Sequence, residues 1–296
     1  AADAAGAAAR EAEQQVEKDI ARCHQYNQLL ASAEGHAMFK RVLRAWRHAN
    51  PRLVYWQGLD SVLAPFLALG YREPVAFACL DAFVRAHLAG FYEPDNSEAV
   101  GHALATHRQL VAYYDPVLAT HLAAVGFEPC HYAVPWYTTA FAHVLALDRL
   151  MPLWDRLLLH PALPHFFALE LLLSRRDALL RCDFAAAVAL VAATLAALDT
   201  APLLARAMRR MNASPLVLSV TTIGTNSAAQ QQQQQHGQQE QQQWWWHRAL
   251  PAKEREHEDA PRMVLADFVV AAEEALVCDI RPAAQFAQVH YPKAVN

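Results

Sequence analysis

Gly35-His36-Ala37-Met38-Phe39-Lys40-Arg41-Val42-Leu43-Arg44-Ala45-Trp46-Arg47-His48-Ala49-Asn50, followed by Pro51, has the pattern of an amphipathic helix and its stop. Met38, Phe39, Val42, Leu43 and Trp46 recur at the spacing of one helical face, and Lys40, Arg41, Arg44 and Arg47 take the other. Asn50-Pro51 ends the helix, because the residue before a proline is pushed out of the α region. Pro51 to Gln57 is therefore expected as a loop, and Gly58 to Gly70 as the next helix. Further along the chain, Pro, Gly and Asp signals separate helical stretches at 73–89, 96–112, 130–146, 161–180, 183–198 and 201–212. No strand pattern precedes residue 214 and no repeat period occurs. The expected fold class is all-α, a multi-helix domain.

Composition agrees. Of 296 residues 54% are apolar and 18% charged, which excludes a chain disordered throughout. Nine glycines and an excess of alanine and leucine over β-branched residues argue against an all-β fold. A net charge of -4 and a pI near 6.4 exclude a generic electrostatic nucleic-acid binder. Cys23, Cys79, Cys130, Cys182 and Cys278 are odd in number and lie far apart, so reduced, buried thiols in a cytoplasmic protein are expected. Ala1 to Ala9 carries Asp3 and runs into Arg10, Glu11 and Glu13, unlike a signal peptide. The longest apolar run, Phe184 to Leu198, is too short for a bilayer and reads as a buried helix. No transmembrane segment is expected, and at most peripheral membrane association.

Composition also divides the chain. Residues 1–213 read as one helical domain, 214–262 as a low-complexity linker, and 263–296 as globular sequence again. The linker holds eleven glutamines between Gln230 and Gln243 and the charged run Lys253 to Asp259. Such a tract buries too little apolar surface to offset its ordering entropy, so it is expected to be disordered. Trp244-Trp245-Trp246 is unusual there, which leaves docking onto the globular part or onto a partner open.

Several familiar catalytic and nucleotide-binding motifs are absent from the sequence. There is no phosphate-binding G-x-x-x-x-G-K-[ST] loop, no G-x-S-x-G elbow, no H-E-x-x-H pair and no dinucleotide glycine pattern. Cys130-His131 reads as a buried thiol beside a helix-start histidine, and no metal site is expected.

Two short segments carry a resemblance. Val16-Glu17-Lys18-Asp19-Ile20-Ala21-Arg22 is similar to the I-x-x-D-x-x-R motif of the TBC domain, the catalytic module of Rab GTPase-activating proteins. Tyr55-Trp56-Gln57-Gly58 is similar to that family's Y-x-Q-G motif. Their order, with an amphipathic helix and Asn50-Pro51 between them, is more specific than either alone. Trp136 in Pro135-Trp136-Tyr137 and Leu153-Trp154-Asp155 match later positions of the family, so the resemblance covers about residues 16–212. Arg22-Cys23-His24-Gln25-Tyr26 and Tyr55 to Ser61 resemble the TBC-domain kinase-like group, whose members carry a pseudokinase before the TBC domain and a rhodanese-like domain after it. Val277 to Phe286, His290 and Ala294-Val295-Asn296 resemble the opening strand and loop of a rhodanese, an incomplete segment from which no sulfur transfer is expected. The family's R-x-x-x-W motif is absent ahead of the first segment, where an alanine-rich stretch stands.

The resemblance implies a division of labour. Arg22 would be an arginine finger stabilising charge at the γ-phosphate, and Asp19, one helical turn earlier, would hold its guanidinium. Gln57 would orient the attacking water, with Tyr55, Trp56 and Gly58 bracing its loop or touching the GTPase. Trp136 and Trp154 are expected in the core, with Asp155 capping a helix. The implied partner is a GTP-bound Rab-family GTPase at trafficking membranes, which brings GTP and magnesium, so the chain needs no cofactor of its own. Without the resemblance, Asp19 and Arg22 are an ordinary ion pair worth under ~1 kcal/mol. Gln57 is then a turn residue, and the basic face of 40–47 is a solvated surface. The alternatives are a catalytically silent Rab-binding adaptor, since Trp56 stands where the family commonly has cysteine, and a fragment that depends on flanking domains.

Overall fold

The computed structural model describes residues 14–214, and the chain is helical from the first of them. No strand occurs among the described residues. Helix α1 runs to the end of 14–20, and a series of turns over 21–32 leads into α2 (Ala33–Ala49). The Ser32 hydroxyl caps α2 by accepting the Gly35 N–H at 2.9 Å, and Phe39, Val42, Leu43 and Trp46 are buried beneath it. Asn50 terminates the helix where Pro51 requires it. Its Nδ2 donates to the Trp46 carbonyl at 3.0 Å and to Asp81 at 2.8 Å.

Beyond the loop come α3 (Leu59–Ala68) and α4 (Glu73–Phe83), both packed against α2. α4 continues as a π turn (Val84–Leu88) and a 3-10 turn (Ala89–Tyr92). α5 (Ser97–Tyr114) and α6 (Pro116–Ala124) follow, then a 3-10 turn (Pro129–His131) and α7 (Val134–Thr138). The described residues close with α8 (Leu147–Leu157), α9 (Leu163–Leu173), α10 (Arg176–Leu179), α11 (Phe184–Ala196) and α12 (Thr200–Ala213). α9 is buried on nearly every face, lies against α5, α8, α10 and α12, and carries Phe166 and Phe167 into the core.

Four expectations need correction. Residues 130–146 do not form one helix. After α7 the chain turns with Ala140 and Phe141 in the left-handed region, at φ 45° and 68°. Burial drives that turn: Phe141 packs on Trp136 and Phe167, and the Ala140 carbonyl accepts the Trp154 indole N–H at 2.9 Å. α6 and α8 had no counterpart among the expected helices, although Asp115-Pro116 is a helix start whose carboxylate caps the Leu118 N–H at 2.9 Å. The stretch 161–180 is broken at Ser174 and Arg175, between α9 and α10. Finally, α11 is not a buried helix, since it buries only the Ala187, Val191 and Thr194 stripe and exposes Phe184 and Val188.

Among the described cysteines Cys23 is buried, Cys79 and Cys182 are half-buried and Cys130 is exposed, so the expectation of buried thiols fails at Cys130. Glu73–Tyr92 is long and apolar enough to cross a bilayer by length and composition, and half of it is buried inside the fold. The bent pair α11 and α12 passes the same test together. The linker, the 263–296 segment, Trp244-Trp245-Trp246 and the alanine-rich start lie outside the described residues.

Candidate functional site

The site grows from two chain segments that α2 separates. In the first, Val16 and Ile20 are buried and anchor α1, which brings Asp19 inward with it. Asp19 is only 1% exposed, yet both its oxygens are satisfied. Oδ1 accepts from Gln15 Nε2 at 2.8 Å and from Arg22 Nη2 at 2.5 Å, and Oδ2 accepts the Tyr55 hydroxyl at 2.9 Å. Arg22 sits one turn further on, where the helix gives way to turns, and its side chain is 53% exposed. One face of the guanidinium is thus held from below and the remainder is open.

The second segment is residues 51–58. The Val54 N–H donates to the Tyr92 carbonyl at 2.8 Å, and the Trp56 indole donates to the Glu93 carbonyl at 2.9 Å. Gly58 then turns the chain into α3 with φ 107°, a left-handed conformation. A Cβ there would lie 2.6 Å from Thr139 Cγ2, so glycine is required by space as well as by dihedral. Tyr55 points back to Asp19, whereas Trp56 and Gln57 point out. The Gln57 amide is exposed and bonds to no other group among the described residues.

Electrostatics keep the interior of the site in one state. Burial, then Asp60 and Asp19, push the Tyr55 hydroxyl far above the usual phenol range, so it remains a donor. Burial and Asp60 do the same to the Cys23 thiol, which is therefore inert. Burial pulls His24 below its ordinary value. What faces solvent is a guanidinium fork and a free carboxamide, a donor set for an anion beside a group that can both donate to and accept from water.

The family profile described as the Rab-GTPase-TBC domain matches residues 4–180, which includes both segments. The chain belongs to this family. A TBC domain-containing protein kinase-like protein of Dictyostelium discoideum is 36% identical over 96% of this chain and 26% of its own length. The human protein of the same description is 47% identical over 58% of this chain and 20% of its own. The chain therefore spans about a quarter or less of these curated relatives. The crystal structure of the Chlamydomonas flagellar RabGAP TBC domain superposes with a TM-score of 0.59 at 26% identity, covering 66% of each chain. The Ypt/Rab-GAP domain of Gyp1p, at 18% identity and a TM-score of 0.58, shares the fold.

Within this TBC fold the remaining expected residues lie away from the site. Trp136 is buried among Tyr132, His107 and Phe141. Trp154 stacks on Phe83 with centroids 4.2 Å apart. Asp155 does not cap a helix. It is exposed in the last turns of α8, where the unsatisfied backbone groups are carbonyls and a carboxylate has nothing to accept. Of the basic face, Lys40 pairs with Glu17 at 2.6 Å and Arg41 with Glu73 at 2.7 Å, which ties α2 to α1 and α4. Cys130-His131 lies in a single 3-10 turn capped by Glu128, and no metal-binding group of His, Cys, Asp or Glu occurs among the described residues.

Gln15, Asp60, Ser61 and His143 were given no role from sequence. Asp60 is buried and accepts the Gly58 N–H at 3.1 Å, and Ser61 Oγ lies 3.1 Å from His143 Nδ1. An acidic residue in the first turn of a helix that opens on glycine was the available signal for Asp60.

Proposed function

We propose that this chain is an activator of GTP hydrolysis by a GTP-bound Rab-family GTPase, supplying Arg22 and Gln57 in trans. The observation that carries the reading is the Tyr55 to Asp19 hydrogen bond, which joins the two family segments beneath an outward arginine and an outward, unbonded glutamine. In such a reaction the transferred phosphoryl group carries charge on its outer oxygens, and the protein contributes mainly positioning and electrostatics. Arg22 neutralises that charge with its planar fork, while Asp19 fixes the fork's direction. Gln57 accepts a hydrogen bond from the attacking water and donates to the reacting centre. The GTP and its magnesium arrive with the Rab, and the chain adds no cofactor. Trp56, 42% exposed beside Gln57, offers the partner a flat apolar surface. The activity belongs on the cytoplasmic side of trafficking membranes, peripheral to the bilayer.

The deciding experiment is single-turnover GTP hydrolysis across a panel of Rab GTPases with the 296-residue chain. Stimulation is expected for at least one Rab. A responding Rab whose own switch glutamine is changed to alanine should still respond to the wild-type chain but not to Gln57→Ala. Loss of water positioning lowers the rate at saturating activator, whereas loss of docking raises only the concentration needed. An unchanged saturated rate for Gln57→Ala would remove the glutamine from the mechanism. Rab binding without stimulation would instead establish the silent adaptor.

A further inference from the structure

We infer that Asp60 is a positioning residue for the two outward side chains, an inference that rests on the reading of Arg22 and Gln57 above. Its carboxylate is 3% exposed and sits in the first turn of α3, two residues past Gly58. Oδ1 accepts the Gly58 N–H at 3.1 Å and lies 3.3 Å from the Tyr55 hydroxyl, while Oδ2 accepts from Ser61 at 3.4 Å. These contacts do two things at once. The Gly58 bond clamps the backbone immediately after Gln57, at a glycine, whose missing Cβ leaves the backbone free to take other conformations. The Tyr55 contact connects that clamp to Asp19 and so to Arg22, because the same hydroxyl donates to Asp19 at 2.9 Å.

The route from one outward side chain to the other is therefore continuous: Arg22, Asp19, Tyr55, Asp60, Gly58, Gln57. Asp19 has a guanidinium partner, whereas the neighbours of Asp60 are a backbone N–H, two hydroxyls and the Cys23 thiol, none of them charged. A carboxylate so placed draws the Gly58 N–H, the Ser61 hydroxyl and the Cys23 thiol toward itself, and the helix N-terminus favours its charge. Asp60 is buried beneath the exposed Arg22 and Gln57 side chains and does not itself face solvent. It sets where Gln57 starts and how Tyr55 stands.

The test uses the full chain with Asp60→Ala and Asp60→Asn, each read two ways. Amide hydrogen exchange over residues 54–58 reports the clamp, with α9 as an internal control for the fold. Single-turnover hydrolysis at saturating activator, on a Rab that responds to the wild type, reports the consequence. Asp60→Ala should speed exchange at 54–58 at least ~10-fold with α9 unchanged, and lower the saturated rate about 10-fold with little change in half-saturating concentration. Asp60→Asn, which keeps an oxygen toward Gly58, should restore both to within ~3-fold of wild type. Faster local exchange with an unchanged saturated rate would make Asp60 merely structural, and unchanged exchange would overturn the clamp outright. If Asp60→Ala also loosens α9, Asp60→Ser is read in its place. A wild-type chain that stimulates no Rab overturns the proposed function instead, and the exchange arm then decides whether Asp60 holds Gly58.

Discussion

Tyr55 is one side chain with one proton between two buried carboxylates, 2.9 Å from Asp19 and 3.3 Å from Asp60. Tyr55→Phe deletes that proton and leaves an oxygen of Asp19 buried without its donor, a loss of about 1–3 kcal/mol. Urea unfolding should show it, and the stimulated rate should fall with it. Arg22→Lys is a different case. The ammonium still compensates Asp19, so the fold should stand by circular dichroism, but it lacks the bidentate fork. An arginine finger contributes roughly 10³–10⁵ in rate, or about 4–7 kcal/mol of barrier. Near-basal hydrolysis is expected, and retention of more than about a third of the stimulation would remove Arg22 from the finger's role. Gly58→Ala should be costly for two reasons together, a left-handed backbone and a contact at 2.6 Å, at about 2–4 kcal/mol.

Helices carry the site through their packing, and two junctions dominate. Trp154 of α8 lies on Phe83 at the end of α4 and near Phe66 of α3, and its indole N–H ends on the Ala140 carbonyl. Trp154→Ala would open a cavity among three elements and cost about 3–5 kcal/mol, read as a lower melting temperature. At the second junction Glu170 of α9 is buried and held by Arg206 at 2.9 Å and Arg210 at 2.5 Å, both from α12. Arg210 also lies over the Tyr114 ring at 4.7 Å. Arg210→Ala leaves Glu170 with one partner instead of two. Because Arg210 is itself partly exposed, a loss of about 1–3 kcal/mol is expected, measured by urea unfolding. The exposed pairs Lys40–Glu17 and Arg41–Glu73 are screened by solvent, so removing them should leave stability nearly unchanged.

At the scale of the described residues together, shielded histidines respond to acid. Burial lowers His107 to about 3, and burial also lowers His24 and His87. His107 keeps a bond to the Tyr132 hydroxyl through Nε2, but its Nδ1 has no partner, so a second ring proton would be stranded. Each group is neutral in the folded chain and binds a proton near pH 6.5 when unfolded. The stability it contributes is complete above that pH and is lost as pH falls toward the folded value, by about 1.4 kcal/mol per unit. Between pH 7 and 5, His107 alone should cost about 2 kcal/mol, a window that ends above the range of the lowered carboxylates Glu17 and Glu73. Urea unfolding at the two pH values measures it. His107→Gln should flatten the difference, and an unchanged slope would refute the assignment.

The amphipathic stretch at Gly35–Asn50 was readable because its pattern has one interpretation: five apolar side chains on one face, a basic face opposite and a proline behind. The same held for α3, α5 and α12, and with them the helical class. Patterns with two interpretations misled. Around Ala140 and Phe141 the apolar density belongs to an irregular buried turn, and in α11 it belongs to a helix with one face uncovered. Asp19, Arg22, Tyr55, Gln57 and Gly58 stood out in the sequence as two separate short segments. That the Tyr55 hydroxyl joins them, that Asp60 sits under the joint, and that Thr139 leaves no room beside Gly58 are contacts between residues 36, 5 and 81 positions apart. Local sequence determines what a segment can do by itself, because periodicity, caps and prolines act within a turn or two. Which buried carboxylate shares a proton donor with which tyrosine is decided only when the helices pack, because that choice depends on distances no local pattern encodes.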